Sequence, residues 1–164
     1  MKNLKFFVVI IIIILGVFSI TLSFGKFFTT QYYDTPLLAY NDNCSHDVVY
    51  GDTTARSEVG VFNIDNETAL FIGALNSNCF VVAEMSIKND KYAFKGTSMI
   101  YNSIDLSDIP DSRNVTNTAT GYVEWSVFCN QSEIDALQNV NSVKSYTLPN
   151  GNAIYIAIFA TELS

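Results

Sequence analysis

The chain has a single histidine, His46, two residues after Cys44 in "NDNCSHDVVYGD" (residues 41–52). An imidazole beside a thiol can draw out a thiolate for nucleophilic attack, with Asp42, Asp47 or Asp52 at hand to orient the ring. Such pairs are normally assembled by a fold rather than by adjacency. The pattern therefore reads as a solvated loop histidine next to a cysteine that belongs to a disulfide. A second concentration of reactive types is "DLSDIPD", which sets Asp105, Asp108 and Asp111 at three-residue intervals, with Arg113 close behind. Calcium takes such oxygens, but the D-x-D-x-D-G loop with its closing Glu is missing. The segment reads as a solvated acidic loop and as the candidate contact with a partner.

Three cysteines, Cys44, Cys79 and Cys129, and one histidine do not make a zinc site, because no C-x₂₋₄-C pair is present. Phosphate-cradling glycine loops, H-E-x-x-H and G-x-S-x-G are absent too. A carboxylate pair needs no motif, so Glu84, Glu124 and Asp108 remain the residues of a small hydrolase, the less favoured alternative. Glu84 and Glu124 both fall in strands, where outward-facing alternation explains them. No catalytic, cofactor-binding or metal-binding residue is assigned on these grounds.

The elements that would position these residues begin with "MKNLKFFVVIIIIILGVFSITLSFGKFF". Phe6 to Gly25 carries no charge and is about as long as a helix that crosses a bilayer. Lys2 and Lys5 before it keep the N-terminus in the cytoplasm and send the rest out. Lys26, Phe27, Phe28, Tyr32 and Tyr33 form the cationic and aromatic cluster that holds a helix at the membrane interface. Ser23-Phe24-Gly25 is the competing signal-peptidase site, and its use would give a secreted protein instead. The expected division is a transmembrane anchor or signal peptide over 1–25, a stem over 26–57 and an exported domain over 58–164.

Three of the nine Lys and Arg precede Phe27 and all sixteen acidic residues follow it, so the exported part carries a formal charge of −10. That charge repels nucleic acid and anionic lipid. The expected partners are the membrane, through the N-terminal helix, and another protein. In an oxidising compartment, three cysteines imply one disulfide and an odd thiol, with three pairings open.

From Glu58 the sequence turns to short β-runs punctuated by turns. "EVGVFNI" (58–64) is followed by "TALFIGAL" (68–75), apolar almost throughout and so covered on both faces. "CFVVAEMSIK" (79–88) alternates, which predicts one buried face, and Asn89-Asp90 turns it into "KYAFKGTSMIY". Residues 102–119 read as a long polar loop. "GYVEWSVFC" (121–129) resumes the β pattern, and Asn130 with Glu133 suggests a capped helix reaching about Asn139. "VKSYTL" and "AIYIAIFAT" then form a hairpin whose Asn150-Gly151 pair suits a type I′ turn. The fold class expected is mainly β (α+β): an antiparallel meander of six to seven strands with one short helix, behind an N-terminal hydrophobic helix. A barrel or sandwich is the alternative.

Overall fold

The computed structural model describes residues 30–44, 53–102 and 113–159. The apolar segment 1–25, Lys26, Phe27, Phe28, His46 and the aspartates Asp105, Asp108 and Asp111 lie outside the described residues. One compact unit begins at Tyr32 and runs to the C-terminus. It opens with α1 (Pro36–Cys44), followed by β1 (Ser57–Asn63), β2 (Thr68–Ala74), β3 (Cys79–Lys88) and β4 (Lys91–Asn102). After residue 112 come β5 (Asn114–Thr118), β6 (Gly121–Phe128), α2 (Gln131–Asp135), β7 (Val140–Thr147) and β8 (Ala153–Phe159).

The strands are antiparallel throughout and make two four-stranded sheets, ordered β1-β2-β3-β4 and β5-β6-β8-β7. The mainly β reading holds, but the meander closes after four strands and a second sheet packs over it. Phe62, Leu70, Ile72, Phe80 and Val82 of the first sheet meet Trp125, Val127, Tyr146, Ile154, Ile156 and Ile158 of the second. Each sheet also has a covered outer face. Ala39 and Tyr40 of α1 pack with Ala69, Phe71, Val81, Ala83 and Met85 outside the first sheet. Ile134 of α2 packs with Phe128, Ala157 and Phe159 outside the second.

This layering explains the strand patterns. β2 is buried along its whole length, as its apolar run requires. β3 differs from expectation, since both of its faces are buried from Phe80 to Met85. Its alternating residues divide between the inter-sheet core and the face under α1. The covering helix comes from the stretch read as stem, and Ala55 packs in the same cluster.

Local differences have local causes. β5 occupies residues expected to be loop; its polar "NVTNT" buries only Thr116 and carries no apolar period. The helix after Asn130 is short. Asn130 is its N-cap, but the amide donates to the Glu133 carboxylate (2.9 Å) and caps no backbone N–H. Asn139 then takes φ 65° and releases the chain into β7. In the last hairpin only Gly151 has positive φ (86°). Pro149 fixes its own φ near the type I value, so the αL residue comes one place later and the turn is not type I′. Asn89 and Asp90 (φ 52° and 58°) do form the tight two-residue turn expected of them.

Candidate functional site

The outer face of the first sheet carries a packed helix and two adjoining clefts. Its helix, α1, starts where Thr35 caps it: the Thr35 hydroxyl accepts the Leu38 N–H (3.2 Å), and Pro36 follows at the first helical position. Tyr40 is 1% exposed, its ring 5.7 Å from Phe71 and edge-on to Phe94 at 5.8 Å. Tyr40 is the bolt between helix and sheet. Asn41 reaches the other way. Its amide donates to the Ala55 carbonyl (2.9 Å) and its carbonyl accepts the Ala55 N–H (2.8 Å), so one side chain replaces a missing strand neighbour. Thr53 donates to the carbonyl of Cys44 and ties the helix end to the same segment.

These ties leave a cleft of about 200 Å³ between the end of α1 and β4, walled by Tyr40, Asn43, Cys44, Thr53, Phe94, Gly96, Ser98 and Ile100. A neighbouring cleft of about 240 Å³ is lined by Thr53, Arg56, Leu75, Asn76, Cys79 and Ile100, so the two share a wall. Asn76 shapes it by accepting the N–H groups of Asn78 and Cys79 (2.8 Å each).

Beside the first cleft runs an open sheet edge. β4 pairs only with β3 on one side, and on the other with Tyr33, which exchanges both backbone bonds with Tyr92 (2.8 Å each). Ile87 spends its N–H on Glu67, so odd-numbered residues of β3 face β2 and even-numbered ones face β4. Met99 and Tyr101, opposite Val82 and Phe80, are therefore turned inward, and the backbone of Ser98 and Ile100 points outward. No strand among the described residues pairs with that stretch. From Gly96 to Tyr101 it carries no charge.

Glu84 corrects the sequence reading. It does not point to solvent: it is 6% exposed, set opposite a bulge in which Lys95, Gly96 and Thr97 stand against one residue of β3. Gly96 takes φ +87° there. Thr116 joins Glu84 to Trp125, donating to the carboxylate and accepting the indole N–H at 2.8 Å. Burial pushes the Glu84 carboxyl above its ordinary range, opposed by the Thr116 hydrogen bond and by Lys95. Lys95 itself donates to the Asn117 carbonyl (2.6 Å), so β3, β4 and β5 are laced together at this corner.

Glu124 lies on the outer face of the second sheet, paired with Arg113 at 3.0 Å. It shares no cleft with Glu84, and the two hydrolase carboxylates do not converge. Arg113, the described member of the proposed partner loop, also lies over the Phe159 ring at 4.1 Å. Tyr33 donates to Asp42, and that bond raises its pKa to about 12. Tyr33 is thus bonded into the edge of β4 and to α1, while Tyr32 beside it is half-buried. No disulfide joins Cys44, Cys79 and Cys129. Among the described residues no group of three His, Cys, Asp or Glu gathers around a metal-sized site, and no helix is long and apolar enough to cross a membrane.

Sequence reasoning missed both the cleft and the open edge. The usable signal was "GTSMIY", an uncharged β-prone run at the end of a long strand. Comparison of the chain with known protein families, curated proteins and solved structures finds no match in any of the three.

Proposed function

We propose that the chain is an exported, membrane-anchored module that works by binding another macromolecule through the cleft beside α1 and the adjoining edge of β4. The observation that carries this reading is the outward backbone of Ser98 and Ile100 alongside a cleft with aromatic, amide and hydroxyl walls. An uncharged edge is a template for a further strand unless something blocks it. Here the chain's own Tyr33 already uses one end of it that way. The surrounding net charge favours a partner with basic residues at the rim. The apolar stretch from Phe6 to Gly25 supports the anchor.

Site-specific photo-crosslinking tests the site in the full chain within its own cells. A crosslinker at Ser98 should trap one discrete protein adduct, and one at Val143, on the outer face of the second sheet, should trap none. Equal adducts at both positions, or none at either, would remove β4 as the binding edge. Release of the protein as a soluble form starting near Lys26 would favour the secreted alternative, leaving the edge assignment to the crosslinks.

A further inference from the structure

We propose that Cys44 and Cys79 form the disulfide of this chain and that Cys129 is its odd thiol. The sequence leaves all three pairings open, and the layers of the sandwich separate them. Cys44 is the last residue of α1, on the outer side of the first sheet. Cys79 opens β3 on that same side, in line with Val81, Ala83 and Met85, and both cysteines pack against one apolar cluster. The clefts they line adjoin and share Thr53 and Ile100 as walls. Cys129 follows β6 and packs against the cluster between the two sheets. Pairing it with either of the others means passing the first sheet, whereas a disulfide spans Cα atoms only about 4.4–6.8 Å apart.

The chemistry of the Cys129 thiol points the same way. Cys44, Cys79 and Cys129 are all half-buried, so a small disulfide reaches each of them and the choice falls to the layers and to thiol chemistry. Burial and the neighbouring Glu133 push the Cys129 thiol up to about 11, which keeps it protonated and slow to exchange.

The bond forms by two thiol–disulfide exchanges with oxidised glutathione. One cysteine, as thiolate, attacks a glutathione sulfur, and the first reduced glutathione leaves. The second thiolate attacks the protein sulfur of that mixed disulfide, forming Cys44–Cys79 and releasing the second. Two protein thiols are oxidised, one glutathione disulfide is reduced, and the thiol protons end on the two leaving glutathiones. The product fastens the end of α1 to the start of β3 and fixes the wall between the two clefts. The assignment rests on the exported reading only for the compartment in which the bond persists.

The test uses the full chain in mild detergent, equilibrated with oxidised glutathione, alkylated without reduction and digested. The expected result is one Cys44–Cys79 peptide pair, loss of the mass of two hydrogens, and alkylation at Cys129. Cys129→Ser should form the same bond, and Cys44→Ser should leave Cys79 unable to form an internal one. A bond to Cys129, a stable glutathione adduct without an internal bond, or three alkylated thiols would overturn the pairing. Because Cys129→Ser keeps both proposed partners, it decides the matter even if Cys44→Ser fails to fold. Localisation is read separately, from the N-terminal mass of protein recovered from cells.

Discussion

Tyr146→Phe should make this protein more stable. Tyr146 sits on β7 with its ring turned into the inter-sheet core, 8% exposed, and its hydroxyl has no hydrogen-bond partner among the described residues. The ring cannot swing to find one. It lies against Gly60, where an added Cβ would stand 2.6 Å from Cδ1, and Lys144 caps its face with Nζ 5.3 Å from the ring centroid. A buried donor left unmade costs about 1–3 kcal/mol, and a change to Phe removes that cost while the ring keeps its packing. The gain expected is about 1 kcal/mol or more, or roughly 3–6 °C in Tm for a unit of this size. Urea titration of the full chain in mild detergent, followed by the fluorescence of the only tryptophan, Trp125, buried in the same core, gives the number. The pH dependence gives a second reading. Burial holds Tyr146 well above the ordinary tyrosine value of 10.0. Its share of stability is therefore complete below that value and is lost as pH climbs beyond it, because only the unfolded chain ionises freely. The Phe variant should lack this share of the alkaline loss, so its advantage should widen above about pH 10. A variant less stable than the parent by about 1 kcal/mol at neutral pH would refute the reasoning, since the hydroxyl would then be making a bond worth having.

Three further outcomes follow from the same geometry. Glu84→Gln keeps the shape and an acceptor for Thr116 but removes a buried charge, so it should stabilise at neutral pH. The sign follows from the raised pKa: the parent gains stability as pH falls through the Glu84 value, and the difference in urea midpoint between the two proteins should shrink on acidification. Asn41→Ala strips both backbone groups of Ala55 of their partner and should cost about 1–3 kcal/mol, with faster amide exchange over α1 and residues 53–56. Gly73→Ala would place a Cβ 2.7 Å from the Phe71 ring and 2.9 Å from the Ala55 methyl. Overpacking of that kind costs about 1–3 kcal/mol, read as a drop in the urea midpoint.

Strands that bury an apolar face were legible in the sequence, and those that do not were hidden. β3, β6 and β8 carry enough Val, Ile, Phe or Trp at period two to declare themselves, and β2 does so by its unbroken apolar run. β5 is an edge strand whose one buried residue is Thr116, so its composition is that of a loop, and of β7 only the first residues, 140–142, escaped the hairpin reading. α1 was hidden for a different reason. "PLLAYNDNC" ends in a polar turn and has no acidic residue in its first turn. So short a helix is marginal in water and owes its stability to the sheet beneath it. The candidate site inherits these gaps. Its walls are Asn43, Cys44 and Thr53 from a stretch with no period, and the outer residues of a strand legible only as a strand.

The position of Glu84 was nevertheless open to derivation, and the failure there is instructive. "TALFIGAL" demanded cover on both faces, and β3 beside it necessarily shares whatever covers β2. Once that is granted, neither face of "CFVVAEMSIK" is free at its centre, and Glu84 cannot be assigned to solvent by alternation. The second cover had to come from outside the first four strands. The second sheet supplies one face, and residues ahead of β1 supply the other. A stem that covers nothing is therefore inconsistent with the apolar content of β2. A buried carboxylate in turn needs a hydroxyl, amide or cation within reach. Thr116 and Lys95, in a supposed loop and on the next strand, are where it finds them. The same reasoning brings α1 against β4 and so creates the cleft: burying the outer face of β2 and β3 costs the chain a helix, and the end of that helix is what leaves Ser98 and Ile100 beside a walled opening instead of a flat sheet.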